Sequence, residues 1–406
     1  MNRVNFGCTV AKLRKKLGIT QAELADMLNV SNKAVSKWEN GGGYPEITLL
    51  PALSEILGVS VDYLLKGDTQ GIVVAGDILV DIVNVLDRFP EKNMLANVLN
   101  TVHAVGGCVP NTIIDLARMD SDIFLSAIGK VGNDENGRYV ISELKKYGID
   151  VSGIKVDEKC VTAASNVMTD SRTGERTFFY SGGANSSFDI ENVNVDALDC
   201  KIFHIGYILL LDALDAYDPE YKTRMARLLD MVSKRGIKTS IDVVSEDGDR
   251  FVEKVIPALG YTDYAIVNEI EGCKVSGVEP RKSDGSICVD NIRLAMKTFF
   301  DCGVRDTVIF HCAEAGFLMK KSGEFYVSGS LELPDGYIKG SVGAGDAYAA
   351  ACLYGIYKGY EPMHMLEFAA AAAACNLSES DSVSGMKSRA RIEELGRKYN
   401  KRKIQE

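Results

Sequence analysis

Apolar strand-like runs that recur between helical stretches constrain this chain more than any other feature. From about residue 70 onward such runs fall at 72–75, 123–128, 163–169, 177–180, 202–205, 238–242, 264–267 and 307–311. Between them the spacing predicts helices at 109–119, 137–147, 221–234 and 292–302. Strands alternating with helices form a parallel sheet covered on both faces. Ligands then sit beyond the carboxyl ends of the strands, so the polar residues at those ends carry the functional information. Four groups stand out: Asp81; the GGCVPN run with Gly106, Gly107 and Asn111; Asn268 and Glu271; and the GSVGAGD run ending in Gly343, Ala344, Gly345 and Asp346.

The first 68 residues follow a different pattern, of short helices with tight turns at 9–17, 21–28, 32–39 and 47–57. Thr20 with Glu23 has the spacing of a capping box, and Ser31 is placed to cap the next helix. Leu24, Ala25 and Leu28 form one apolar stripe and Ala34, Val35 and Trp38 another, leaving Asn32, Lys33, Ser36 and Lys37 outward. Two short helices joined by a three-residue break have helix-turn-helix proportions. Amide, hydroxyl and amine groups on the second helix suit base edges and phosphates. The alternative reading is a helical domain that only packs against the body or binds protein.

Charge supports the division. The chain carries a net charge of −10, but residues 1–68 hold eight Lys/Arg against seven Asp/Glu, which leaves −11 for the remainder. An acidic body does not attract nucleic acid through its bulk field, so DNA contact falls to the front end. Ten cysteines are scattered without a C-x-x-C pair, which predicts reduced thiols rather than a disulfide framework or a zinc site. No apolar run approaches the roughly 18 residues of a spanning helix, and the first residues lack a signal peptide's apolar core. The cytoplasm is the expected compartment. His103 and His204 are expected to pack or hydrogen-bond rather than bind ligand, and the basic stretch 387–403 to be a solvated amphipathic end.

The glycines before the Ala-rich helix let successive backbone N–H groups converge, and the helix adds its positive end. A carboxylate beside such an anion hole is repelled by phosphate unless its task is to take a proton from the attacking group. The pattern therefore suggests phosphoryl transfer to a hydroxyl, with Asp346 as base. Alone it is weak, because glycine turns with a capping Asp are common.

The front end resembles the Cro/lambda-repressor (XRE) helix-turn-helix type, on the run ITQAELADMLNVSNKAVSKWENG and on Pro45 to Leu64 that follow. That resemblance implies double-stranded DNA as partner, Gln21 on a backbone phosphate, readout by Asn32, Lys33, Ser36 and Lys37, and binding as a homodimer.

The body resembles the ribokinase, or PfkB carbohydrate kinase, family. Ser341, Gly343, Ala344, Gly345 and Asp346 match its D-T-x-G-A-G-D motif, Asn268 and Glu271 its N-x-x-E, and Gly106, Gly107 and Asn111 its G-G-x-x-x-N. Asp81, the GERTF…GAN phrase from Gly174 to Asn185 and the Gly129 to Gly137 turn occur in the family's order. The resemblance spans roughly 70–388. It implies an α/β/α sandwich with a small β lid from about 83–105 and 159–183, so residues 1–68 form a helix-turn-helix domain and 69–406 a ribokinase-like sugar kinase domain. It further implies Asp346 as base, the amides of Gly343, Ala344 and Gly345 as anion hole, and Asp81, Gly106, Gly107 and Asn111 on the sugar. Asn268, Glu271 and Gly316 would serve ATP and Mg2+, with the metal held through water rather than directly.

The chain also departs from the pattern. Gly340 replaces the first Asp of the signature, which argues against potassium activation. The phosphate loop reads His311-Cys312-Ala313-Glu314-Ala315-Gly316, D-P-N reads Asp242-Val243-Val244, and Cys108 stands where ribokinases often have Lys. Two functions follow: an ATP-dependent sugar kinase fused to a transcription-regulating domain, or a non-catalytic sugar sensor on the same frame. A linker of only residues 67–70 suggests that ligand binding couples to the DNA-binding part.

Overall fold

A computed structural model describes residues 3–59, 61–66, 71–246 and 248–404. The chain divides into two compact units: Met1–Gly71 with Asp122–Phe124, and Ile72–Ser121 with Leu125–Glu406. The linker expected at 67–70 lies outside the described residues.

The first unit comprises helices α1 (Arg3–Lys16), α2 (Gln21–Met27), α3 (Asn32–Glu39), α4 (Leu50–Leu57) and α5 (Val61–Lys66). Local chemistry sets their ends. Thr20 accepts from the Glu23 amide while Glu23 reaches back to the Thr20 amide, and Ser31 accepts from the Ala34 amide. Phe6, Val10, Leu24, Ala25, Val35, Trp38, Leu53 and Leu64 close the core. Gly7 is obligatory there, since a Cβ would lie 2.2 Å from the Trp38 carbonyl oxygen.

The second unit is built on a nine-stranded sheet. In chain order its strands are β1 (Gly71–Gly76), β4 (Leu125–Gly132), β5 (Asp150–Asp157), β8 (Cys200–Ile208), β11 (Lys238–Val243), β12 (Tyr264–Asn268), β13 (Thr307–His311), β14 (Ala315–Lys320) and β15 (Phe325–Gly329). In space they run β15-β14-β13-β12-β11-β8-β1-β4-β5. A second sheet, ordered β3-β2-β6-β7, comprises β2 (Leu79–Leu86), β3 (Val98–Gly106), β6 (Ala163–Asp170) and β7 (Arg176–Ser181). A two-stranded ribbon, β9 (Tyr217–Asp218) and β10 (Lys222–Thr223), completes the set.

Three expectations shift. The sheet is not wholly parallel: β14 and β15 run antiparallel at its edge. Only residues 312–314 and 321–324 separate those strands, too few for a parallel crossover. The lid, expected from about 83, begins at Leu79, while the runs at 163–169 and 177–180 join the small sheet inside the lid segment expected at 159–183. The helix predicted from residue 221 begins at Arg224, because the ribbon occupies 217–223 and Thr223 caps the helix by accepting from the Ala226 amide. Among the described residues no helix is long and apolar enough to cross a membrane.

Candidate functional site

At the carboxyl ends of the central strands lies a cavity of about 260 Å³. Its walls include Tyr207 from β8, Asp242 from β11, Asn268 and Glu271 after β12, His311 closing β13, and Gly343, Gly345 and Asp346 at the start of helix Ala344–Lys358. No lysine or arginine is among its lining residues. A wider depression beside Glu332 and Lys401 is open surface and gathers none of these groups.

Helix Ala344–Lys358 begins at Gly343, whose φ of 76° is left-handed. A Cβ there would lie 2.6 Å from Ser382, so glycine is required by both conformation and space. No side chain caps this helix; the Ala344 amide donates to the Ser341 carbonyl at 3.3 Å, and the helix still presents its positive end to a ligand. Asp346 sits in that first turn, buried. Its Oδ2 accepts from Asn111 Nδ2 at 2.8 Å, and the Tyr207 hydroxyl donates to its two oxygens at 3.1 and 3.2 Å. Burial, reinforced by the negative charge of Asp242, raises its carboxyl to about 7, against the pull of Asn111 and Tyr207.

Sequence reasoning placed Asn111 on the sugar. Here its amide joins two protein groups: Ser382 Oγ donates to Oδ1 at 2.8 Å while Nδ2 donates to Asp346. One N–H is left for another acceptor. Asp81, Gly106 and Gly107 lie together but outside the lining of the cavity. A Cβ on Gly106 would meet Asp81 Oδ2 at 2.3 Å, and one on Gly107, with φ of 88°, would meet Asp77 Oδ2 at 2.6 Å. The paired glycines thus admit two carboxylates against the backbone. Burial raises Asp81 to about 6 and Asp77 to about 7. Asp77 Oδ1 accepts from the Tyr180 hydroxyl at 3.3 Å and from Asn185 Nδ2, while Oδ2 has no hydrogen-bond partner.

Asn268 and Glu271 form a capping box on helix Glu269–Ser276, Oδ1 accepting from the Glu271 amide and Glu271 accepting from the Asn268 amide. Their i, i+3 spacing is what that box demands. Capping does not explain why Glu271 is buried and raised to about 8 by that burial, with Asp242 and Asp346 adding repulsion. Ser245 Oγ donates to the same carboxyl at 2.7 Å. Burial keeps His311 neutral, its imidazole lowered to about 4, stacked 4.8 Å from Tyr348. Ala344 opens the helix but does not line the cavity, and neither does Gly316. Gly316 lies in β14 and owes its lack of a side chain to packing, since a Cβ would strike the Tyr348 hydroxyl at 1.8 Å. At Gly340 a Cβ would come within 3.1 Å of the 379–380 backbone, and no carboxylate stands at that point.

Tyr207, Asp77, Ser382 and Ser245 escaped sequence reasoning. Tyr207 carried a usable signal, a polar aromatic at the carboxyl end of an apolar strand. It also has φ of 60°, a costly conformation for a bulky residue and one concentrated at functional sites.

In the first unit Asn32, Lys33 and Lys37 are exposed on α3 and Ser36 is half-buried, its hydroxyl 3.3 Å from Asn40 Nδ2. Gln21, expected on a phosphate, donates through Nε2 to Glu39 Oε2 at 2.7 Å, which leaves its second N–H. Glu39 also holds Arg14, whose Nε and Nη2 donate at 2.6 and 2.9 Å, so Gln21 serves the network joining α1, α2 and α3.

Residues 69–389 match the family model of pfkB family carbohydrate kinases, and 10–64 match a helix-turn-helix family model. A 5-dehydro-2-deoxygluconokinase of Clostridium perfringens is 28% identical over 275 residues, covering 66% of this chain and 77% of that protein. Repressor protein C2 of Salmonella phage P22 is 47% identical over 75 residues, 18% of this chain and 35% of that protein. The fold is that of the Arabidopsis thaliana ribokinase solved with ribose and ATP: TM-score 0.66, 19% identity, covering 80% of this chain and 98% of that one.

Proposed function

For a chain that belongs to the pfkB carbohydrate kinase family and carries an N-terminal helix-turn-helix domain, we propose that Asp346 is the base for phosphoryl transfer from ATP to a sugar hydroxyl. The observation that carries this reading is the setting of Asp346. It is a buried carboxyl in an uncapped helix turn, raised to about 7 and held by an amide and a phenol rather than an ion pair. Such a group accepts a proton near neutral pH.

In the proposed step the sugar O–H gives its proton to Asp346. The freed oxygen bonds to the γ-phosphorus as the bond from that phosphorus to the β–γ bridging oxygen breaks, and ADP leaves with the electron pair. The first-turn amides of Gly343, Ala344 and Gly345 take up the oxygens of the migrating group, where preorganised donors have their largest effect. Asn111 and Tyr207 hold the base in line. Asp81 and Asp77 accept sugar hydroxyls; the unpartnered Asp77 Oδ2 supports a donor group on the substrate. A divalent cation fits the remaining residues, because Asn268 and Glu271 offer hard oxygens at a wall without basic side chains. When bound, Mg2+ supplies charge compensation on the phosphates, held through Asn268, Glu271 and water.

The exposed face of α3, with Asn32, Lys33 and Lys37, supports duplex DNA as a second partner. A homodimer would match paired half-sites, and the cytoplasm is the compartment where sugar, ATP and DNA meet. ADP release measured across a panel containing ribose, fructose, nucleosides and 5-dehydro-2-deoxygluconate tests the kinase reading. Asp346→Asn is expected to lower kcat on the best acceptor by about 10²–10⁴-fold. Undiminished turnover in that variant removes Asp346 from the mechanism.

A further inference from the structure

Behind the Asp242 wall, three chemically dissimilar side chains converge. Cys108 opens helix α6 (Cys108–Met119), while His204 and Asp242 come from neighbouring parallel strands, where His204 pairs with Ser240. All three are buried. Cys108 Sγ lies 3.8 Å from His204 Nε2 and 3.5 Å from Asp242 Oδ2, and His204 Nε2 lies 3.4 Å from the same carboxylate oxygen. Of these separations, those to sulfur lie within a thiol's ordinary hydrogen-bond reach, while the nitrogen–oxygen one exceeds the about 2.7–3.2 Å usual for N–H···O. All three match the edges of a coordination tetrahedron. Bonds of about 2.3 Å to sulfur and about 2.0–2.1 Å to nitrogen or oxygen place S from N or O at about 3.5 Å, and N from O at about 3.3 Å.

The surroundings agree. His204 Nδ1 is 3.0 Å from Ser240 Oγ, a contact that fixes the ring and aims Nε2 into the cluster, as outer partners of metal-bound histidines do. Asp242 Oδ1 accepts from the Tyr207 amide, leaving Oδ2 for the cluster. Gly206 gives the sulfur its place, since a Cβ there would lie 1.8 Å from Cys108 Sγ.

We propose that Cys108, His204 and Asp242 bind a single Zn2+ ion, distinct from any Mg2+ that accompanies nucleotide. A thiolate and an imidazole with one carboxylate is a zinc donor set, whereas Mg2+ takes oxygen ligands. Three protein ligands leave one position open; the Thr112 hydroxyl, 3.9 Å from the sulfur, flanks the cluster. Because Asp242 both joins this cluster and anchors the Tyr207 amide, the ion would pin the strand ends that carry the Asp346 partner Tyr207. The assignment stands independently of the kinase reading.

The test uses the full chain with Cys8→Ser, which removes an exposed thiol. Chelator-stripped protein is loaded with Zn2+ in a thousandfold excess of Mg2+, and metal content is measured after gel filtration. Parallel loading with Co2+ is followed by absorption. The expected result is one Zn2+ per chain, a thiolate-to-cobalt charge-transfer band with tetrahedral d–d bands, and a metal affinity at least a hundredfold weaker in both Cys108→Ser and His204→Gln. Absence of stoichiometric Zn2+, Co2+ bound without the thiolate band, or unchanged affinity in folded variants overturns the assignment. Should a variant fail to fold by circular dichroism, the cobalt spectrum of the Cys8→Ser protein decides alone.

Discussion

Replacing Tyr207 by Phe should move the acidic limb of catalysis to higher pH. The Tyr207 hydroxyl donates to Asp346 at 3.1 and 3.2 Å, and Asn111 supplies the other side-chain hydrogen bond. Both favour the carboxylate over the acid, so losing either raises the carboxyl further above about 7. A hydrogen bond to a charged group contributes about 1.5–3 kcal/mol and one pKa unit corresponds to about 1.36 kcal/mol. The lower figure applies, because Asn111 remains and the vacated hydroxyl volume admits water, so a shift of roughly one unit is expected. A base acts only when ionised, hence kcat/KM for sugar at saturating Mg-ATP should rise through pH 7 in the parent and through about pH 8 in Tyr207→Phe. Initial rates of ADP release between pH 5.5 and 9 give both curves. A limb that stays in place, moves to lower pH, or survives in the residual activity of Asp346→Asn would refute the assignment.

Four further outcomes follow from the same structure. A carboxyl raised on folding destabilises the native state above its folded value and has no effect below its unfolded one; Asp346→Asn should therefore melt higher than the parent at pH 8, with the gain vanishing near pH 4. Gly343→Ala should destabilise by more than 1 kcal/mol in urea titrations, given φ of 76° and contact at 2.6 Å, while Gly345→Ala, 3.5 Å from its nearest neighbour, should fold as the parent does. Trp38 is the single tryptophan, so its fluorescence follows the first unit alone; Glu39→Gln should cost about 3 kcal/mol there, the low end for a buried pair, since Arg14 keeps the Ile19 carbonyl. Lys33→Ala and Lys37→Ala, on the face expected to read the duplex, should each weaken duplex binding and relax sequence preference at one position, measured by competition between operator variants at fixed salt.

What was legible in the sequence was local. Thr20 with Glu23, Ser31 before α3 and the glycines before Ala344 act within four residues of themselves, and each does so here. Alternation found the central strands, but short connections, not periodicity, turn β14 and β15 antiparallel. What stayed hidden depends on distant segments meeting. Tyr207 reaches Asp346 across 139 positions, Ser382 reaches Asn111 across 271, and Cys108 meets Asp242 across 134. No spacing rule links such residues, so cysteines that look scattered along the sequence include Cys108, which meets His204 and Asp242 in the fold. Gly316 shows that a glycine in a family position can also answer to packing: a Cβ there would meet the Tyr348 hydroxyl at 1.8 Å.

The electrostatics of the cavity favour turnover over simple sugar sensing. Asp77, Asp81, Glu271 and Asp346 are all raised by burial, and Asp242 adds its repulsion to Asp77, Glu271 and Asp346. Of these, Glu271 and Asp346 line the cavity together with Asp242 and with no lysine or arginine among the lining residues, while Asp77 and Asp81 lie outside the lining and Arg176 offsets part of the rise at Asp81; a fold gains nothing in stability from burying acids in this way. A pocket that only bound a neutral sugar could have met its hydroxyls with amides, which carry no such cost. The arrangement becomes favourable when a cation enters with the nucleotide and when one acid must take up a proton during the cycle. Sugar brings no cation, so it should bind the apo protein weakly, and Mg-nucleotide should tighten it. Calorimetric titration of sugar with and without an unhydrolysable Mg-nucleotide measures that difference; equal affinity in both would show that the acids serve structure rather than transfer.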